Sequence, residues 1–198
     1  MSLLIKAFIM GIVEGLTEFL PVSSTGHMII VGDFIDFKGG SFHTMFQIVI
    51  QLGAILAVVY YYREKILDSL KNLKPGQRGF ELWFKIFIAF LPAAVIGLLL
   101  NDIIEEYFFS SFTVAIALII GGIMMIMAEN YFGRLGLDDM DKTNTKQSFI
   151  IGVSQCMALI PGMSRSASTI MGGMAAGLSV KAAAEFSFFL AIPTMVAA

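Results

Sequence analysis

The sequence predicts an all-α polytopic membrane protein. It is built as an inverted-topology repeat, with two re-entrant, broken-helix hairpins meeting near the membrane midplane. Three observations carry this prediction. The 198 residues are 57% hydrophobic and only 14% charged, with a mean hydropathy of +0.82, where soluble domains run about 45–50% and about 25%. Three apolar stretches have the length of a bilayer crossing and alternate with loops of differing charge. Two further apolar segments are each interrupted by a polar, proline-containing motif, and the two interruptions match at a nearly constant offset. The composition excludes an ordinary soluble globule and a disordered chain. The net charge of −2 argues against nucleic acid as a partner. The single cysteine, Cys156, cannot form an internal disulfide, and two histidines are too few for a Cys/His zinc cluster.

The first segment, 1–31, is apolar but carries Glu14 and Glu18, and no small-residue cleavage site precedes Pro21. It is read as part of the mature fold rather than a signal peptide. It breaks at Pro21, because proline removes a helix hydrogen bond and pushes the preceding residue out of the α region. Spans are expected at Thr44–Tyr62, Leu82–Leu100 and Ser111–Tyr131, each close to the ~20 residues that a bilayer core requires. A fourth is expected to begin at Phe186. Between them, 63–79 holds five Lys and Arg residues, 101–110 holds only the acidic Asp102, Glu105 and Glu106, and 133–146 holds Arg134, Lys142 and Lys146. By the positive-inside rule the first and third loops are cytoplasmic and the second is outside, together with 33–43 and its lone Lys38. Segment 149–178 breaks at Pro161, and polar backbone of this kind survives at membrane depth only inside protein or against a cavity.

The two broken segments align. An offset of 140 superposes Pro21 on Pro161, Ser24 on Ser164, Gly32 on Gly172 and Phe46 on Phe186, while an offset of 141 superposes Gly11 on Gly152 and Glu14 on Gln155. Three spans separate the breaks, and an odd number gives inverted copies. The single membrane domain 1–198 therefore divides into a first repeat, 1–140, and a second, 141–198. The second lacks counterparts of two spans, so a fragment of a longer chain is expected.

The breaks also collect the chemistry. Glu14 and Glu18 stand i, i+4 on one face, and intramembrane carboxylates are expensive enough to imply function. They suit metal or phosphate handling or general-base work, with a structural ion pair to Arg165 as the alternative. Ser23, Ser24, Thr25 and Gly26 open a half-helix, where hydroxyls serve as an N-cap or bind an anion. His27 follows one turn in and suits proton transfer or attack on phosphorus. Ser164, Arg165, Ser166, Ser168 and Thr169 open the matching half-helix, and the Arg165 fork fits phosphate. Gln47 and Gln51 are expected to face these tips. Asp33, Asp36 and His43 are expected in a solvated loop. Two helix N-termini, an arginine, hydroxyls, two carboxylates and a histidine together read as phosphoryl transfer inside a membrane protein.

The motifs Glu14-Gly15-Leu16-Thr17-Glu18-Phe19-Leu20-Pro21-Val22-Ser23-Ser24-Thr25-Gly26-His27 and Pro161-Gly162-Met163-Ser164-Arg165-Ser166-Ala167-Ser168-Thr169, with Phe46–Gly53, resemble the undecaprenyl-pyrophosphate phosphatase (bacitracin-resistance protein) family. The resemblance covers the whole chain. It implies removal of the terminal phosphate from a C55 polyprenyl pyrophosphate in the bacterial inner membrane, on its outer face, recycling the lipid carrier for peptidoglycan synthesis. It implies dependence on a divalent cation (Mg or Ca), for which Glu14 and Glu18 are the candidate ligands. Carried over by position, Glu18, Ser24, His27 and Arg165 form the catalytic core. Ser23, Thr25, Gly26, Ser164, Ser166 and Thr169 bind substrate. The chain departs from the family at Ala167, where glycine is usual, and in being shorter. Membrane lipids and a second copy of the chain are the other expected partners. Ser24, activated through His27 and Glu18, and a water activated by the same groups both remain open as nucleophile. A lipid-phosphate transporter or flippase is the alternative function, since broken helices in inverted repeats are transporter architecture.

Overall fold

The structure is a computed structural model, and it describes residues 1–37, 40–108, 111–133 and 136–197. Lys38 and Arg134, which entered the orientation argument, lie outside the described residues, as do the side chains of His43, Asp102, Glu105 and Glu106. Among the described residues the fold is helical, and the sole strand-like pairing is one parallel bridge between Leu137 and Leu178.

The first broken segment forms α1 (Leu3–Thr17) and α2 (Ser24–Phe34). The helix stops four residues ahead of Pro21, as the proline requires. It resumes at Ser24 under a cap from Ser23, whose hydroxyl accepts the Gly26 N–H at 3.3 Å. Asp33, expected in a loop, sits inside α2. The hairpin closes on a small cluster of Met10, Met28 and Phe37, with Phe37 edge-on to Phe46 at 5.3 Å.

The expected spans become α3 (Gly40–Tyr61), α5 (Arg78–Phe108) and α6 (Ser111–Phe132). Two boundaries differ from expectation. The cationic loop after the first span folds into α4 (Arg63–Lys71), bent 76° from the preceding helix. Its charged residues hold it at the surface while Ile66 and Ser69 face inward, and Trp83 Nε1 donates to Ser69 Oγ at 3.0 Å. The acidic loop expected from residue 101 is mostly helix, since 101–108 continues α5. Neither run contains a proline or glycine to stop it, and charge alone does not break a helix.

The second broken segment forms α7 (Thr145–Gln155), a 3₁₀ turn (Cys156–Leu159) and α8 (Arg165–Ala175). Asn144 and Gln147 close a reciprocal capping box at the start of α7, each bond 2.9 Å. The tip turns at Gly162, with φ +96°. A Cβ there would sit 2.6 Å from the Val114 carbonyl oxygen of α6, so glycine is needed for both the turn and the approach. The last helix, α9 (Val180–Ala197), starts six residues before the expected Phe186, after a turn at Gly177.

Residues of α8 and α9 occupy the centre. Phe186, Phe189 and Leu190 are fully buried, packed among Ile86 and Ala89 of α5, Ile151 of α7 and Ile170 and Met174 of α8. Most of the outer surface of α5 and α6 is exposed Leu, Ile and Phe, including Leu98 and Leu99. An apolar exterior of this extent matches lipid rather than water. Three helices among the described residues are long and apolar enough to cross a membrane, within Arg78–Leu100, Phe112–Phe132 and Val180–Ala197, or four where the apolar α3, bent at its junction with the surface helix α4, counts as a span. At the surface, Lys65 Nζ bridges Asp141 and Glu185 at 3.0 Å each, and Lys85 Nζ donates to the Asp141 carbonyl at 3.0 Å. This clamp joins α4, α5 and α9 to the short turn at Met140–Lys142.

Candidate active site

The two breaks touch. Ser166 Oγ, in the first turn of α8, donates to the Leu20 carbonyl at 2.8 Å. The Leu20 carbonyl also accepts the Val22 N–H at 2.8 Å across the non-helical turn at Pro21, and its second lone pair takes the hydroxyl from the opposite tip. Arg165 Nη2 donates to Glu18 Oε1 at 3.1 Å, and both side chains are largely buried, 13% and 8% exposed. Ser24 Oγ donates to the other carboxylate oxygen, Glu18 Oε2. One carboxylate therefore carries the arginine on one side and a serine hydroxyl on the other.

Local structure puts these groups there. Glu18 caps the end of α1 with its N–H on the Glu14 carbonyl at 2.9 Å, so it still follows the helical face of Glu14. Ser23 adopts φ +63°, a left-handed conformation that L residues rarely take. This kink lets Ser24 start α2 facing back toward Glu18. Ser164 caps α8, accepting the Ala167 N–H at 3.2 Å, and its hydroxyl lies 2.9 Å from Ser166 Oγ. Arg165 is the first residue of α8 and so emerges at the helix start.

These groups line a cavity of about 230 Å³. Its polar wall is Glu18, Ser23, Ser24 and Thr25 from the first break, and Ser164 and Arg165 from the second. Gln51 of α3 and Thr194 of α9 complete it, with apolar contributions from Ala158, Met163 and Met195. The volume lies below the roughly 300 Å³ at which drug-sized pockets begin, so it suits a small polar head group and not a long chain.

Not every residue expected at the site reaches this wall. His27 Nδ1 lies 2.8 Å from the Ser23 carbonyl, which can only accept, so Nδ1 carries a proton there. It is Glu18, not His27, that contacts the Ser24 hydroxyl. Gly26 is buried against Leu118. Ser166 joins the tips as described. Thr169 is fully buried, bonding to the carbonyls of Arg165 and Ser166 and to Ser187. Ser168 returns its hydroxyl to the Ser164 carbonyl at 2.8 Å. Glu14 is 1% exposed, and neither of its oxygens has a hydrogen-bond partner among the described residues.

That orphaned carboxylate bears on metal binding. No cluster of three Asp, Glu, His or Cys forms among the described residues, so a closed protein cage for a metal is absent from them. Magnesium, however, is usually held by one or two carboxylates plus substrate phosphate oxygens. Glu14, with two uncommitted oxygens one turn from Glu18, fits that open donor set.

Two contributors went unrecognised in the sequence, Ser187 and Thr194. Both lie in α9, seven residues apart and hence on one face. Hydroxyls recurring at that spacing in the uncharged stretch 186–197 of α9 were the available signal. Thr194 donates to the Leu190 carbonyl at 2.8 Å and lies 3.4 Å from Gln155 Oε1.

Comparison with known proteins agrees with the motifs. The family model described as bacitracin resistance protein BacA matches residues 7–198. A protein of Thermoanaerobacter sp. (strain X514) named undecaprenyl-diphosphatase is 76% identical over 199 residues, covering all of this chain and 74% of the relative. Similar proteins of the same name come from Clostridium tetani (strain Massachusetts / E88), 56% identical over all of this chain and 73% of the relative, and from Pseudomonas syringae pv. tomato (strain ATCC BAA-871 / DC3000), 53% identical over 98% of this chain and 70% of the relative.

Proposed function

The chain belongs to the bacitracin resistance protein BacA family, and on that premise we propose that it is an integral membrane phosphatase. It hydrolyses undecaprenyl (polyprenyl) pyrophosphate to the monophosphate and inorganic phosphate, recycling the lipid carrier for peptidoglycan synthesis and conferring bacitracin resistance. The observation that carries the chemistry is the continuous chain Arg165–Glu18–Ser24 along the wall of one small cavity. An arginine to hold phosphate, a carboxylate to take a proton and a hydroxyl to attack stand in contact order.

The terminal phosphate enters between the tips and meets Arg165, Ser164, Ser23 and Thr25. Arg165 exchanges its Glu18 partner for phosphate oxygens and stabilises the charge on the transferred phosphoryl group. Ser24 Oγ attacks the terminal phosphorus, giving its proton to Glu18. The anhydride P–O bond breaks and the polyprenyl monophosphate leaves. Water then attacks the phosphoserine phosphorus, the P–Oγ bond breaks, Ser24 Oγ takes back the proton held by Glu18, and inorganic phosphate leaves with the proton lost by the water. Glu14 and Glu18 would hold a divalent cation, magnesium or calcium, which when bound neutralises phosphate charge. His27, held through Nδ1 by the Ser23 carbonyl, is assigned to relay protons near α2 rather than to contact Ser24. The prenyl chain gains ~0.8 kcal/mol per buried CH₂, so it stays in the bilayer and only the head group enters.

The same reading arranges the two hairpins as inverted copies in the bacterial inner membrane, with the cavity opening to the outer face. A transporter is not favoured, because a translocation site needs no hydroxyl in contact with a base. The test is release of inorganic phosphate from a polyprenyl pyrophosphate by purified protein in detergent, with and without chelator, beside Glu18→Gln. Chelator-sensitive release that the variant loses supports the proposal. Full release by folded Glu18→Gln removes Glu18 from the mechanism, and no release by the folded wild type refutes the phosphatase reading.

A further inference from the structure

Arg165 is held from two sides, and the second hold has no part in the chemistry above. Opposite its contact with Glu18, Arg165 Nη1 donates to the Ser187 carbonyl at 3.1 Å and approaches Ser187 Oγ at 3.4 Å. Ser187 is fully buried between the fully buried Phe186 and the aromatic Phe188 in α9. Its hydroxyl lies 2.7 Å from Thr169 Oγ1. Thr169 in turn lies 2.9 Å from the Arg165 carbonyl and 3.1 Å from the Ser166 carbonyl.

Counting protons orients this network. Thr169 has one hydroxyl proton. The two carbonyls beside it accept only, so that proton points at them. The Ser187 hydroxyl must then donate to Thr169 Oγ1, and its lone pairs are left facing the guanidinium. A guanidinium also accepts nothing, so this is the one orientation in which no two donors or two acceptors confront each other. Thr169 thus sets the direction of Ser187, and Ser187 offers both its carbonyl and its hydroxyl oxygen to the same nitrogen.

We propose that Ser187 and Thr169 are a positioning pair for Arg165. They fix the plane of the guanidinium from behind, so that Nη2 passes from Glu18 to a substrate phosphate without the side chain swinging. This inference rests on the phosphatase reading. It removes Thr169 from the substrate-binding set and adds Ser187, which does not itself line the cavity and acts through Arg165. The physical requirement is general. An arginine that trades a carboxylate for a phosphate loses one anchor during the exchange. A misplacement of about 1 Å costs on the order of 100-fold in rate, so a second anchor that persists through the exchange has a use.

The test is steady-state hydrolysis of a polyprenyl pyrophosphate in detergent by the full chain and by Ser187→Ala, Thr169→Val, Thr169→Ser and the double variant Ser187→Ala/Thr169→Val. Thermal unfolding of each is followed in parallel. The expected result is a fall in kcat of about tenfold for Ser187→Ala and Thr169→Val, with KM changed less than about threefold, since orientation and not capture is lost. Thr169→Ser keeps the hydroxyl and recovers most of kcat. The double variant is no worse than the poorer single one, because both act through the same guanidinium. A further arm adds millimolar guanidinium to Arg165→Ala. Partial recovery that disappears in Arg165→Ala/Ser187→Ala places the anchor at Ser187 independently of folding. Wild-type kcat in folded Ser187→Ala and Thr169→Val overturns the positioning pair while leaving the phosphatase reading intact. Absence of hydrolysis by the wild type instead overturns that reading and the pair with it.

Discussion

The two broken segments share a plan and differ in how tightly they are packed. In the first, α1 buries only Met10 and Glu14, and α2 buries Ser24, Gly26, Met28 and Gly32. In the second, α8 buries every residue from Ser166 to Met174. The glycines record the same contrast. A Cβ on Gly11 would meet nothing within 4 Å, whereas on Gly152, which the sequence alignment sets against it, it would sit 2.4 Å from the Ala89 carbonyl oxygen of α5. The carboxylates lie on the loosely packed segment and the arginine on the tightly packed one. This division has a physical sense. A guanidinium carries a long, flexible stem and needs surrounding structure to hold one orientation. Glu18 needs less support, because Arg165 and Ser24 already claim both its oxygens.

Arg165 offers the largest test of that contrast. Arg165→Ala is expected to lower phosphate release by at least about 100-fold, the scale for losing a preorganised charge. Arg165→Lys recovers little, since an ammonium lacks the fork that reaches Glu18 and Ser187 together. If Arg165→Lys were fully active, the tight packing of the second hairpin would have no bearing on catalysis.

The glycine pair sharpens the comparison through stability alone. Gly152→Ala pushes α5 and α7 apart and is expected to cost about 1–3 kcal/mol as overpacking. Gly11→Ala fills open space in a helix interior and is expected to stabilise by roughly 0.5–1 kcal/mol. Thermal unfolding in detergent should move the two midpoints in opposite directions. Equal shifts would contradict the difference in packing.

The contact between the hairpins supplies a smaller effect. Ser166→Ala removes one of the two donors to the Leu20 carbonyl, which keeps the Val22 N–H at 2.8 Å, at a cost of about 0.5–1.5 kcal/mol. Hydrogen exchange should then quicken at 20–24 of the first hairpin and remain slow in α8.

The surface clamp gives the smallest and most specific effect. Burial lowers the Lys65 pKa, but hydrogen bonds to Asp141 and Glu185 and their charges outweigh it, so the value rises above the ordinary 10.5. A raised lysine pKa means that the clamp's stabilisation is complete below the ordinary value and is lost as pH climbs through the raised one. The unfolding midpoint should therefore fall above about pH 10.5 more steeply in wild type than in Lys65→Met. Identical alkaline profiles would show that the clamp adds nothing.

Much of this molecule is legible in short stretches of sequence. The breaks at Pro21 and Pro161, the caps at Ser23 and Ser164 and the cores of α3, α5 and α6 follow from proline geometry, hydroxyl capping and apolar length, which act over a few neighbouring residues. So does the gathering of Glu14, Glu18, Ser24 and Arg165 at the breaks. Element ends were less legible. Charged runs were read as loops at 63–79 and 101–110, although 63–71 and 101–108, which hold neither glycine nor proline, are helical. The partners at the site were legible only in part: Glu18 was expected beside Ser24, and it contacts that hydroxyl where His27 does not. Arg165 had two candidate carboxylates one helical turn apart, and the crossing of the two tips selects Glu18 and leaves Glu14 unpaired. Ser187 joined the site because α9 passes behind α8, with its one hydroxyl face turned toward Thr169. Such pairings join residues more than a hundred positions apart, or on different helices. They depend on how helices cross and pack, a property that no local pattern of residues encodes.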